Sequence, residues 1–343
     1  MSSDSNTERG VVFRSTGSWY DVQDGMGETV RCRIKGKFRL EGIRTTNPIA
    51  VGDFVQFTRE EEGTGIIDTI EERRNFIARK SVNLSKESHV VASNLDRAFL
   101  IVTIAQPRTS SGFIDRFLVT AEAIGIPATI VFNKMDLIEG DEEASSRQEE
   151  LEKIYADVGY KTRRISAKTG LGIAEMKSAL KEGIYLLSGH SGVGKSTIIN
   201  TLIPGLDLAT ADVSESHSKG RHTTTFAEMF AVPGGGFIID TPGIKGFGLV
   251  ALKKETLNHQ FPEFFELLQG CKFNNCVHLN EPGCAVIAAV ENGEIAYPVS
   301  EVTVAGNLKD MLMQITSVGN DPEKNGSIYS GSILMDNLMI AGE

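Results

Sequence analysis

The octapeptide Gly189-His190-Ser191-Gly192-Val193-Gly194-Lys195-Ser196, followed by Thr197, matches the pattern G-x-x-x-x-G-K-[ST] at every defined position. An apolar run at 183–187 precedes it and reads as a strand, and a helical pattern at 197–202 follows it. Strand, loop and helix in that order are what a phosphate-cradling loop requires. Its glycines permit positive φ, so that successive backbone N–H groups close around phosphate oxygens, and the helix N-terminus adds partial positive charge. Lys195 would reach the β and γ oxygens, and the Ser196 hydroxyl would ligate Mg²⁺.

A phosphate loop does not choose between adenine and guanine. Asn133-Lys134-Met135-Asp136 does, at the end of the apolar run 127–132. A carboxylate there can accept from both N1–H and the exocyclic amine of guanine, a pair of donors that adenine lacks. Asn133 can bond the base edge and hold the loop, and the Lys134 stem can cover the ring. Ser166-Ala167-Lys168 supplies a companion loop whose Ala167 N–H would donate to guanine O6. Asp240-Thr241-Pro242-Gly243 follows an apolar strand at 236–239; Asp240 suits water-mediated Mg²⁺ binding and the Gly243 N–H suits a γ-phosphate contact. Ile244 follows Gly243, where many GTPases carry the Gln that orients the attacking water, and it has no hydrogen-bonding atom. His222, just before Thr223-Thr224-Thr225, is the candidate to hold that water, because a neutral imidazole carries one donor and one acceptor.

Two further groups stand apart from the nucleotide. Cys271, Cys276, His278 and Cys284 place three thiolates and an imidazole within 14 residues. Four such ligands suit a closed, tetrahedral, structural Zn²⁺ site, one per chain. Near the other end, Arg31, Arg33, Lys35, Lys37 and Arg39 fall at every second position of a predicted strand at 30–40. Side chains alternate across a strand, so all five project from one face while Cys32, Ile34 and Phe38 take the other. With only Glu41 among six basic residues from Arg31 to Arg44, phosphate contacts with RNA are the expectation.

The elements that must position these groups follow from pattern. Short runs at 11–15, 18–22, 30–40, 53–59 and 65–71, punctuated by glycine, predict a small barrel. From about residue 95 apolar runs alternate with helical spacing: strand 98–104, helix 113–123, strand 127–132, then helix 146–158 with Leu151, Ile154 and Val158 inward. That alternation predicts a parallel sheet with crossover helices. After about residue 250 the pattern shortens into helical pieces around the cysteines, and 320–343, rich in Gly, Ser, Asn and Asp, reads as a loosely held tail. In all, 343 residues, 41% hydrophobic and 23% charged, fit a multidomain globular protein and exclude disorder throughout. The first ten residues show no secretory signal, no run of about 18 apolar residues predicts a membrane helix, and four cysteines fit a reducing cytoplasm. The net charge of −10 argues against nucleic-acid binding by the whole surface, not by a local strand.

In ordinary small GTPases the phosphate loop comes first and the guanine loops last; here 133–136 and 166–168 precede 189–196. A site built from loops at the carboxyl ends of parallel strands survives such a permutation, with a helix at 171–180 as the joint. A basic barrel strand, a permuted guanine site, the segment Gly220-Arg221-His222-Thr223-Thr224-Thr225 and a Cys-Cys-His-Cys cluster together resemble the RsgA family of ribosome small-subunit-dependent GTPases, over roughly residues 11–295. The resemblance implies an N-terminal OB-fold, a central circularly permuted α/β GTPase domain and a C-terminal, mostly helical zinc-binding domain, with boundaries near residues 80 and 249. It implies Thr224 as the switch threonine on Mg²⁺, and GTP hydrolysis stimulated by the small ribosomal subunit during late maturation; a monomer free of membranes is the expectation. The family closes with a helical, Tyr- and Arg-bearing segment, whereas 297–343 holds only Lys309 and Lys324 against six acids. Two other readings are a permuted GTPase of large-subunit assembly and an RNA-binding module with structural GTP. If Asp136 reads two guanine donors, Asp136→Asn weakens GTP binding and improves binding of xanthosine triphosphate in a competition assay. Equal wild-type affinity for ATP and GTP overturns the assignment.

Overall fold

The computed structural model describes residues 7–34, 48–60, 63–80, 88–208, 227–241, 259–276, 278 and 281–292, and the short stretches 302–305, 315–318, 323–325, 328–330, 333–335 and 339–342. Five strands open the chain: β1 (Thr7–Ser15), β2 (Tyr20–Asp24), β3 (Thr29–Ile34), β4 (Phe54–Arg59) and β5 (Thr64–Ile70). β1 pairs antiparallel with β2 and β4, β2 with β3 and β4 with β5, while β3 and β5 run parallel. The ring closes, so its strands leave few unpaired edges. Val12, Tyr20, Val22, Val30, Cys32, Val55, Phe57 and Ile67 fill the interior. Alternation along β3 is as expected: Cys32 is buried and Arg31 and Arg33 are exposed. Lys35, Lys37 and Arg39 lie outside the described residues. An acid from outside the strand meets this row: Arg33 reaches Glu60, at the turn between β4 and β5, at 3.0 Å. A partner 27 residues away is invisible to a pattern read along one strand.

After the hairpin β6 (Phe76–Lys80) and β7 (Ser88–Ser93), the chain builds a second layer around β8 (Arg97–Val102), β9 (Ala128–Phe132), β10 (Lys161–Arg164), β11 (Ile184–Ser188), β12 (Glu228–Ala231) and β13 (Phe237–Asp240). The spatial order is β10-β9-β8-β11-β13-β12; every neighbouring pair is parallel except β12 with β13. β9 and β11 are buried at every residue, as strands covered on both faces are. One covering face includes α1 (Ser111–Ala123), through Phe113, Ile114, Phe117, Leu118 and Ala121, and α2 (Glu142–Asp157), through Leu151 and Tyr155. The other includes α3 (Ile173–Ser178) and α4 (Lys195–Leu202). α2 starts four residues earlier than its apolar spacing suggests, because Asp141 caps it by accepting from the Ala144 N–H at 3.0 Å. Its buried residues are Gln148, Leu151 and Tyr155, and Ile154 and Val158 are only half-buried. From β8 the chain moves outward to β10 and returns to β11 beside β8, so the strand order reverses between β8 and β11. Crevices at such reversals, outside the carboxyl ends of the strands, are where open α/β sheets bind ligands.

The barrel is fastened to this layer by a buried carboxylate. Asp53, fully buried, accepts two parallel bonds from Arg73 at 2.7 and 2.6 Å, one from the Ser93 hydroxyl at 2.6 Å and one from the Ala50 N–H at 2.8 Å. The adjoining Gly52 has φ +92°, and a Cβ there would overlap the Ser93 carbonyl oxygen. β1 also pairs with β12 through Arg14 and Glu228.

α5 (Pro262–Leu267) and α6 (Ala285–Glu291) flank the cysteine segment, whose small core joins Phe264, Cys276, Cys284 and Val286. Clustering of contacts puts residues 1–109 and 113–295 in one compact unit and 110–112 with 296–343 in another. In the second unit, β14 (Val302–Ala305) pairs with β19 (Met339–Gly342), β15 (Ile315–Val318) with β18 (Ile333–Met335), and β16 (Glu323–Asn325) with β17 (Ile328–Ser330), all antiparallel and nested. The loosely held tail expected at 320–343 is therefore corrected to paired strands.

Asp53→Ala leaves the Arg73 guanidinium buried without its carboxylate, and should cost about 3–5 kcal/mol in urea unfolding of the nucleotide-free protein. Removing the exposed Arg9–Glu71 pair should cost no more than about 1 kcal/mol in the same experiment.

Candidate functional site: a nucleotide crevice and a metal-binding cluster

The phosphate loop joins β11 to α4 at the strand-order reversal. Gly189 and Gly194 take φ of +150° and +96°. A Cβ on Gly194 would lie 2.5 Å from Asn133 Nδ2, and one on Gly189 would overlap the Ile101 carbonyl oxygen, so neighbouring backbone approaches the loop as only glycine allows. Lys195 Nζ donates to the Gly189 and His190 carbonyls at 2.8 and 2.9 Å, folding the ammonium over the loop. Burial pushes its pKa down, and Asp240 opposes that shift. Asp240, buried at the end of β13, sits in parallel register with Leu187, two residues before the loop. Ser196 and Asp240 thus offer a hydroxyl and a carboxylate beside the cradle, the hard oxygen donors that Mg²⁺ takes.

The guanine loops leave the neighbouring strands. Asn133, buried after β9, donates from Nδ2 to the Val193 carbonyl at 2.8 Å and accepts at Oδ1 from the Ala167 N–H at 3.2 Å. One side-chain amide therefore ties the phosphate loop to both base loops. Both atoms of that amide bond protein groups rather than standing free toward a base edge. The Ala167 N–H, expected to face guanine O6, bonds that same amide. Asp136 accepts from the Ser166 hydroxyl at 2.6 Å, and Lys168 Nζ stands 4.0 Å from its other oxygen. The Met135 N–H donates to the Ile165 carbonyl at 3.2 Å, closing the two base loops together. Lys134 takes φ +63°, and its Nζ donates to the Gln106 carbonyl at 2.7 Å; burial lowers its pKa while Asp136 raises it.

Two contacts were not legible in the sequence. The segment after β8 brings Pro107 to 3.4 Å from where a Gly192 Cβ would stand, and it supplies the Gln106 carbonyl to Lys134. The His190 ring stacks on Phe113 of α1, with centroids 3.7 Å apart and planes 32° from parallel. Burial, then Lys195 and Arg116, depress the His190 pKa. Only the position of β8 at the reversal points to this segment, and that position is a property of topology. His222, Thr224 and Gly243 lie outside the described residues. Arg31 and Arg33 sit on the barrel, away from the crevice loops.

In the cysteine segment the ligand atoms of Cys271, Cys276, His278 and Cys284 all lie within 4.8 Å of one another. Cys271 and Cys284 Sγ are 4.0 Å apart, and His278 Nδ1 is 3.2 Å from Cys284 Sγ. Tetrahedral Zn–S bonds of about 2.3 Å put sulfurs about 3.8 Å apart, whereas a disulfide needs about 2.05 Å. The donor set fits one zinc.

A phosphate loop at the switch point of a parallel sheet, with base loops on the adjoining strands and in permuted chain order, defines a guanine-nucleotide hydrolase of the P-loop class. Family models described as RsgA GTPase and RsgA N-terminal domain match residues 70–250 and 9–67. The chain belongs to the RsgA family of GTP hydrolases. The small ribosomal subunit biogenesis GTPase RsgA of Bacteroides fragilis is 53% identical over 288 residues, spanning 84% of this chain and 92% of that protein. Its counterpart in Flavobacterium johnsoniae is 52% identical over 291 residues, spanning 84% and 89%. The crystal structure of YjeQ from Thermotoga maritima is similar with a TM-score of 0.67 and 38% identity, over 84% of this chain and 93% of that one. That of YloQ, described as a circularly permuted GTPase, gives 0.64 and 28%, over 86% and 92%. Residues 282–342 match a different model, the PmbA/TldA metallopeptidase C-terminal domain. No helix among the described residues is long and apolar enough to cross a membrane.

Elemental analysis of reductively purified protein should give one zinc per chain. Cys276→Ser should lower that ratio and expose 259–292 to limited proteolysis, while GTP binding persists.

Proposed function

We propose that this chain hydrolyses GTP to GDP and phosphate in late maturation of the small ribosomal subunit, stimulated by the subunit, as a cytoplasmic monomer. The observation that carries the proposal is the buried Asn133 amide, which joins the phosphate loop to both base loops. The relatives named for small-subunit biogenesis support the choice of partner. In this reading residues 1–80 form the RNA-binding OB-fold, 81–249 the GTPase domain, and 250–343 the zinc-binding domain with its tail.

Asp136 reads the guanine donors, Lys134 covers the base, and the loop from Gly189 to Thr197 encloses the phosphates. Lys195 swings from the Gly189 and His190 carbonyls to the β and γ oxygens, which exchanges two neutral acceptors for anionic ones. Mg²⁺, held by Ser196, Thr224 and, through water, Asp240, would neutralise charge on the leaving diphosphate. His222 orients the water that attacks the γ-phosphorus in line, and the Gly243 N–H steadies a γ oxygen. Because Ile244 offers no hydrogen bond, hydrolysis stays slow until the subunit closes the segment bearing His222. On the barrel, Arg31, Arg33, Lys35, Lys37 and Arg39 meet RNA phosphates, and their neutralisation should flatten the salt dependence of RNA binding by up to about 0.7 log units per lost contact.

Multiple-turnover kinetics with no subunits, with purified small subunits and with purified large subunits test the proposal. Stimulation by small subunits alone supports it; stimulation by large subunits, or by neither, overturns it. His222→Ala should keep GTP affinity within a few-fold and lower stimulated turnover by about a hundredfold, the lower end of what a positioned proton acceptor contributes. Near wild-type turnover would place the water-orienting group elsewhere.

A further inference from the structure

The barrel's arginines divide into two sets. Arg9 is paired with Glu71, and Arg59 with Glu8, Asp24 and Glu28. Arg14 and Arg31, by contrast, make no ion pair within 4.0 Å among the described residues. They lie in one outward row, since Arg14 is opposite Asp21, and Asp21 is opposite Arg31. Asp21 thus stands as one acid between two exposed guanidinium groups. Arg33 extends the exposed side along β3, and Glu60 meets it at the far end.

In the turn between β1 and β2, beyond the pairing of Tyr20 with Cys32, stands Trp19, the only tryptophan in the chain. The Arg31 guanidinium lies over its ring, 4.9 Å from the centroid, and the indole is half-buried. The turn is pinned through backbone: the Thr16 N–H and hydroxyl both donate to the Trp19 carbonyl, at 2.9 and 3.2 Å. Indole and guanidinium are therefore presented as a stacked pair on the exposed side of the barrel, where Arg14 and Arg31 alternate with Asp21 and, opposite Arg14 on β12, Glu228. A planar cation on an aromatic face offers stacking surface to a nucleobase and charge to its phosphate at once. OB-type barrels bind oligonucleotides across strands 2 and 3 and the first hairpin loop, which is where this pair stands. Base–aromatic stacking requires a free base face, and duplex RNA has none to give along its length.

We propose that Trp19, with Arg31 stacked on it, is a platform for an unpaired RNA base, so that the barrel selects single-stranded over duplex RNA while Arg14 and Arg31 meet the flanking phosphates. The proposal rests on the reading of the barrel as an RNA-binding domain. Full-length protein is titrated with fluorescein-labelled oligouridylate and with a labelled duplex of equal length, following both label anisotropy and the emission of Trp19, which has no other tryptophan to mask it. Oligouridylate should quench Trp19 and the duplex should not. Trp19→Ala should weaken oligouridylate binding by about five- to a hundredfold, the range of one lost base–aromatic stack. It should leave duplex affinity and the salt slope unchanged, and Trp19→Phe should restore most of the loss. Binding that leaves Trp19 emission unchanged overturns the platform, even where Trp19→Ala misfolds, while the RNA-binding barrel stands. Binding of neither RNA overturns both.

Discussion

The nucleotide crevice depends on one buried side-chain amide. Asn133 takes a carbonyl from the phosphate loop and an N–H from the second base loop, and it stands on the strand that carries the first. Each of those backbone groups is buried or half-buried and would cost about 1–3 kcal/mol if left without a partner. The amide satisfies both and at the same time sets the spacing between phosphate and base. Gly194 follows from it, since any side chain there would meet the amide at 2.5 Å. So does chain-order freedom: the three loops are joined through a side chain, not through consecutive backbone, and a permuted connection leaves the joint intact.

The same logic of buried polar joints recurs at Asp53. A carboxylate with four donors on it fixes the barrel to the strand that leads into β8, and β1 adds a short pairing to β12. A buried ion pair of this kind contributes little net stability compared with apolar packing, but it tolerates only one geometry. Its place at the base of the barrel, bonded to Arg73 and Ser93 beyond it, gives the barrel a fixed relation to the segment that leads into β8. The barrel's exposed side is then divided by charge: arginines paired with carboxylates on one flank, and the row with Arg14, Arg31 and Trp19 on another.

The segment after the zinc ligands has a different character. Residues 282–342 match a model other than the RsgA models, and the described strands there pair with one another in a nested antiparallel order. Six acids against two lysines over 297–343 make that segment a poor phosphate binder. The ligands Cys271, Cys276 and His278 precede the matched region and Cys284 falls just inside it, so the metal cluster spans the change of character.

Fold class, nucleotide class and metal ligands were legible in the sequence because each is specified by local spacing. A phosphate loop is eight consecutive residues with obligatory glycines. A parallel strand covered on both faces is an unbroken apolar run, as at β9 and β11, and four metal ligands lie within one short segment. Burial of Leu151 followed from helical spacing, whereas Gln148 and Tyr155, which α2 also buries, did not stand out beside a half-buried Ile154. What the tertiary structure decided are the contacts between residues far apart in the chain. Asn133 meets Val193 across 60 positions, Asp53 meets Ser93 across 40, and Arg33 meets Glu60 across 27. No period along the chain encodes such pairs, because a hydrogen bond between distant residues depends on where strand order and crossover direction place them. The stacking of Arg31 on Trp19 belongs to the same class: alternation predicts that both face outward, and only the register of β2 against β3 brings them together.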